Sequence, residues 1–140
     1  MSTAVQTSYG FGFPKGVAGG LFDLSAHDVT TRQAEGDGVA FGLGVVVGTN
    51  KGTDVKLPAT GATSDDFEGG GGHNSVMGEK DMDNNVSINS KRTVGCLHFG
   101  RIWVQTGAAA KPAYKEKVYL ITDGDEAGKF TTSADTATKV

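Results

Sequence analysis

The stretch Val39–Thr49, VAFGLGVVVGT, constrains the fold more than any other part of the chain. Val39, Phe41, Leu43, Val45 and Val47 alternate along it, so in an extended strand they share one face. Ala40, Gly42, Gly44, Val46 and Gly48 share the other face, which is nearly bare. Glycine inside a strand costs stability, so its repetition points to a bulge, a bend or the close approach of a second backbone. Internal glycine and a run of valine both disfavour a helix. The stretch predicts a central strand of a small barrel or sandwich.

The whole composition supports an all-β reading. The 22 glycines exceed the usual share of about 7%, yet three prolines and no G-X-Y period exclude collagen. At 140 residues the chain is expected to form one domain with a real core. The formal charge of −3 is spread without a basic block, which argues against nucleic acid as a partner. The single Cys96 excludes an intrachain disulfide. The residues after Met1 lack the charged-then-apolar pattern of a signal peptide, and no apolar run reaches transmembrane length, so no membrane partner is expected.

The first twenty residues read as an extended arm, and 21–140 as a single β domain. In the arm, Tyr9, Phe11 and Phe13 alternate with Gly10 and Gly12, and Pro14 blocks a helix. These aromatics are expected to pack on this domain or on a neighbour, with a neighbouring subunit or the capsid favoured, and with Pro14 and Trp103 they form the candidate docking set. Leu21–Glu35 favours an extended ladder, with a short helical turn as the alternative. Glu35–Gly38 is a turn into the central strand, and Asn50-Lys51-Gly52 turns the chain into a return strand over Thr53–Leu57. Pro58–Asp66 reads as a polar loop. The run Gly69–Gly72 reads as a flexible surface loop, because no helix signal follows to make it a phosphate cradle. Val86 and Ile88 begin a short strand.

Val94–Val104 is a second strong strand region, with a phase change at Gly100. A bulge there would keep Leu97, Phe99, Ile102 and Val104 inward and turn Trp103 outward. Tyr114–Thr122 reads as a buried strand, and Lys129–Thr132 as its return after a turn at Asp123–Gly128.

No catalytic or metal site assembles from the residues. His27, His73 and His98 lack zinc spacing, and Cys96-x-His98 alone is a weak pair. Asp81 to Asn85 resembles the start of a calcium loop, but Val86 and Arg92 stand where Gly and Glu are required; a looser site at Asp81 and Asp83 stays open. Asp65, Asp66 and Glu68 form an acidic set that reads as solvated. No nucleophile has an identifiable base. The expectation is a protein without catalytic, cofactor or metal residues.

One set of segments carries a family likeness. Gly16-Val17-Ala18-Gly19-Gly20-Leu21-Phe22-Asp23 is followed by Gly38–Val46 and Phe67-Glu68-Gly69. Then come Thr93-Val94-Gly95, Gly100-Arg101-Ile102-Trp103-Val104 and Lys117-Val118-Tyr119. In order and spacing these segments resemble the structural cement, or head decoration, proteins of tailed, siphovirus-type bacteriophages. The resemblance implies a small antiparallel β-barrel or sandwich, of β-tulip-like kind. It also implies a place on the outer surface of the phage head, with the host cytoplasm as the site of assembly. The implied partners are the major capsid protein and other copies of the chain, with a trimer favoured. The polar stretch Gly70–Asn85 is long for that pattern, and a further apolar strand is expected beyond Val140. Two other readings of the residues stay open: another virion β-protein (tail tube or fibre), and a carbohydrate-binding sandwich using Trp103 and Tyr119.

Overall fold

The computed structural model describes residues 15–73, 79–80, 86–134 and 137–139. Five strands close into a barrel in the order β1-β4-β3-β5-β8: Asp28–Ala34, Asp54–Lys56, Gly44–Val47, Phe67–Gly71 and Thr93–Phe99. Two three-stranded sheets flank it. One holds β2 (Val39–Ala40), β7 (Val86–Ile88) and β6 (Glu79–Lys80) in the order β2-β7-β6. The other holds β10 (Phe130–Thr131), β9 (Tyr119–Ile121) and β11 (Ala137–Lys139) in the order β10-β9-β11. The only helical elements among the described residues are 3-10 turns at Ser64–Asp66 and Gly124–Glu126. The fold is all-β, as the alternation and turn residues predict. One barrel pair departs from the antiparallel expectation: β1 and β4 run parallel, Ala34 opposite Val55.

The central stretch is not one strand. Gly42 takes φ of +76°, a left-handed value that turns the chain between β2 and β3. The turn donates Gly42 N–H to Gly71 O at 2.9 Å and accepts Gln105 N–H on Gly42 O at 2.9 Å. The inward set survives the break in part: Leu43 is buried outside the main core and Val47 is only half-buried. Val39, Phe41 and Val45 are buried with Ala34, Val55, Ile88, Val94 and Cys96 in the main core. The nearly bare face is covered too. Val46 packs with Leu120 and Phe130 in a second cluster, against Phe67 and Ala62. Gly44 makes room for it, since a Cβ there would fall 2.4 Å from Leu120 Cδ1 and 3.0 Å from Phe130 Cζ.

Three further expectations are corrected. The glycine run is not a surface loop: Phe67–Gly71 is β5, paired with β3 on one side and β8 on the other, and Gly69–Gly71 are buried. Backbone hydrogen bonds and neighbours that supply the side chains let glycine serve as a strand there. The bulge in β8 falls at His98 rather than Gly100. Val29 pairs with Leu97 and Asp28 with Phe99, leaving His98 as the extra residue. The strand then ends, Phe99 is 66% exposed and Val104 is exposed as well. The third expected strand is shorter than read: only Tyr119–Ile121 pairs, while Val118 and Tyr114 face solvent.

The half-buried pair Arg32–Glu68 ties β1 to β5 across the barrel. Arg32 Nε and Nη2 both donate to Glu68 Oε1, at 3.0 and 2.8 Å.

Candidate functional site

The most conspicuous surface lies where the chain enters the barrel. The segment Gly16–Phe22 is laid along Arg101–Trp103 by a short backbone ladder. Gly19 N–H donates to Trp103 O (2.7 Å), Trp103 N–H to Gly20 O (2.9 Å) and Phe22 N–H to Arg101 O (2.9 Å). Leu21 and Ile102 form an antiparallel bridge within it. Residues 15–20 of the expected arm therefore rest on this chain's own body. Tyr9, Phe11, Phe13 and Pro14 lie outside the described residues, as do Asp81 and Asp83.

Trp103 is half-buried rather than turned fully outward. Gly16 lies against its indole so closely that a Cβ there would fall 2.1 Å from Nε1. Phe22 packs on it at a centroid distance of 5.6 Å and a tilt of 47°, a contact worth about 0.5–1.5 kcal/mol beyond burial. Phe22 itself is 49% exposed, and Tyr114, across the groove, is 91% exposed. Together with Gly100, Arg101 and Ile102 these rings line a groove of about 670 Å³. On the other side of Ile102 lies a trough of about 510 Å³. Its floor includes Gly19, Gly20, Gly72 and Gly95, and its walls include Leu21, Val29, Leu97 and His73.

The loop after Phe22 is held firmly. Asp23 accepts hydrogen bonds from Ser25 Oγ and, at 3.1 Å, from Ser25 N–H, and pairs with Arg101 Nη1 at 3.0 Å. The Ser25 bonds, with Arg101 adding to them, lower the Asp23 pKa. This fixed loop holds Leu24 at 93% exposure. Leu21, Phe22, Leu24, Val29, Phe99 and Tyr114 all leave apolar surface in water on described residues. Phe22, Trp103 and Tyr114 line the groove, and Leu21 and Val29 the trough, with Ile102 common to both; exposed apolar surface gathered in this way marks an interaction site.

The candidate chemistry disperses. Asp66 is engaged with Thr63, accepting from its N–H at 3.0 Å and its Oγ1 at 2.9 Å, which lowers its pKa. Glu68 is spent on Arg32. His73 packs on Phe41, and His27 Nδ1 lies 2.9 Å from Ser25 O. Cys96 is buried, its thiol pushed up to about 11 by desolvation, while His98 is turned out by the bulge. Among the described residues no three metal-ligating side chains converge. Sequence reasoning singled out Trp103 but not Phe22, Leu24 or Tyr114. The one available signal was the presence of large apolar residues in stretches lacking strand alternation.

Comparison with known proteins agrees with an architecture built for packing. No curated protein matches the chain. The capsid of Myoviridae phage XM1 contains a chain of the same fold: TM-score 0.72, 21% identity, over 99% of this chain and 86% of that one. From residue 5 to residue 140 the sequence matches the model of the phage structural cement proteins (E217 gp24/Pam3 gp6), and the chain belongs to that family.

Proposed function

We propose that this protein binds the outer surface of the assembled phage head and bridges neighbouring major capsid proteins, acting as a trimer after synthesis in the host cytoplasm. The observation that carries the reading is the apolar face of Phe22, Trp103, Tyr114 and the adjoining trough, on a domain whose cores are otherwise filled by its own side chains. The arm residues Tyr9, Phe11, Phe13 and Pro14 join this face as the docking set with Trp103. The mechanism is mass action: a protein that binds the closed lattice and not its free subunits stabilises the lattice in proportion to occupancy. Several weak contacts per oligomer add through multivalency. The role is structural, without a catalytic centre, and involves neither nucleic acid nor membrane.

The test is sedimentation of the purified protein with undecorated heads, beside unassembled capsid protein and a glycan array. Saturable binding to heads and a raised disruption temperature of the decorated particle are expected. Binding to glycans with none to heads would favour the carbohydrate-binding reading, and incorporation only into tails would favour a tail-tube or fibre subunit.

A further inference from the structure

A knob and a hole of matching chemistry stand on two different loops. Leu24 is the knob, 93% exposed on a loop that the Asp23–Ser25 bonds and the Asp23–Arg101 pair hold in place. Asp23 and the exposed Asp28 make that loop acidic. The hole is a separate cavity of about 90 Å³, lined by Val104, Ala110, Pro112, Val118 and Phe130 together with threonines. An apolar cavity of roughly 150 Å³ accepts a benzene ring, so this smaller one is sized for an aliphatic side chain. Its loop is cationic. Lys111 and Lys117 adjoin Pro112 and Val118 in the chain, and with Lys115 they are exposed. None of the three pairs with a carboxylate among the described residues. The loop's own acid, Glu116, is spent on the Ala113 N–H at 2.8 Å. Lys115 is held at φ of +63°, a left-handed value unusual for a residue with a side chain, and backbone of that kind gathers at functional positions.

We propose that Leu24 of one copy enters this hole on the next copy, with the acidic loop of the first facing the lysines of the second. A chain's own Leu24 does not fill the hole, since its loop holds it in water. Every copy carries both surfaces, and the two surfaces differ, so the contact runs head to tail. Such a contact closes into a ring when its rotation permits, which suits a trimer. Opposite charge on the two loops favours knob against hole, while like charge disfavours knob against knob and hole against hole. The inference rests on the trimer of the cement reading and names the contact that builds it.

Sedimentation equilibrium of the full chain, without heads, is the test. Wild type is expected to sediment as an oligomer. Leu24→Asp should sediment as a monomer with the wild-type melting temperature, and Val118→Asp should do the same from the other side. Mixed, the two variants should form a one-to-one dimer, because one keeps the hole and the other keeps the knob. Should Val118→Asp fold poorly, the double variant Lys111→Glu, Lys117→Glu, changed only at exposed side chains, should weaken association at least tenfold. The inference is overturned by a monomeric wild type, which would leave the hole to another segment of the chain or to the capsid. It is also overturned by Leu24→Asp at wild-type mass, by folded variants that stay monomeric when mixed, or by a lysine double variant that associates as wild type does. Head binding is measured separately. A monomer that binds heads overturns this inference alone, and an oligomer that ignores heads overturns the cement reading.

Discussion

At Gly44, on β3, an added methyl would meet Leu120 Cδ1 at 2.4 Å; at Gly95, on β8, its nearest neighbour is Val29 Cγ1 at 3.2 Å. Both glycines pave the outside of the same barrel. Over Gly44 the chain has laid its own Leu120, Phe130 and Phe67, which make a second core. Over Gly95 it has left a trough, walled by a Val29 that is 47% exposed. A glycine-paved strand face states that something comes close. It does not state whether the visitor belongs to the same chain. The filled side is a matter of folding, and the open side is available to another molecule.

That contrast predicts unequal responses to substitution. The largest is expected at Phe130, which anchors the filled side and packs edge-on against Phe67 at 6.5 Å. Phe130→Ala should lower the unfolding free energy by about 3–5 kcal/mol, the usual cost of emptying a buried aromatic site. Denaturant melts measure it directly. A loss near that of a surface substitution would mean that this side is no core.

Next come two glycines that the chain itself covers, Gly44 under the second core and Gly42 under the Ala18–Gly19 segment. Gly44→Val drives two methyls into Leu120 and Phe130, and overpacking of this kind costs about 1–3 kcal/mol. Gly42→Val should cost at least as much, because its left-handed φ resists a β-branched residue and its Cβ would fall 2.9 Å from Gly19 N. A thermal melt of Gly44→Val that matches wild type would show the second-core side able to open, and one of Gly42→Val would show the same of the Ala18–Gly19 segment.

These effects also show where the sequence was readable. β1, β4 and β7 were legible because β-branched residues lay between turn residues, which is a local signal. β5 was not, because a glycine strand has no side chains to alternate; its evidence sits on its partners, β3 and β8. The bulge at His98 was misplaced to Gly100 because register belongs to a strand pair, and Asp28–Val29 fixes it from about seventy residues away. At the site, Trp103 stood out against strand phase. Phe22, Leu24 and Tyr114 did not, since the geometry that leaves them exposed is tertiary.

A smaller effect reports on the main core between the two sides. Cys96 is fully buried, and its pKa is raised to about 11 by desolvation. Between the unfolded value near 9 and about 11 the unfolded chain loses the thiol proton while the folded chain keeps it. Stability is therefore fully present below pH 9 and falls as pH rises through that window, by at most about 1.4 kcal/mol per unit. Cys96→Ala should flatten that part of the pH profile relative to wild type. The same burial predicts that a thiol reagent labels Cys96 only as fast as the barrel opens. Rapid labelling of native protein at neutral pH would show a looser core than the packing implies.

The smallest stability effect is expected on the open side, and it is the one that separates the two sides most sharply. Gly95→Val places its Cβ 3.2 Å from Val29 Cγ1, a side chain half in solvent and free to swing away. Valine also suits a strand better than glycine does. The unfolding free energy should therefore change by no more than about 0.5 kcal/mol, as for ordinary surface positions. The new side chain nevertheless occupies the trough. If the trough receives the capsid, binding to heads should weaken at least tenfold, a difference of about 1.4 kcal/mol, while Gly44→Val protein that remains folded binds heads as wild type does. Melts and head sedimentation on the two variants measure both quantities. Equal destabilisation by the two substitutions would make the two glycine faces physically alike. Unchanged head binding by Gly95→Val would move the docking surface off the trough, to the groove of Phe22, Trp103 and Tyr114.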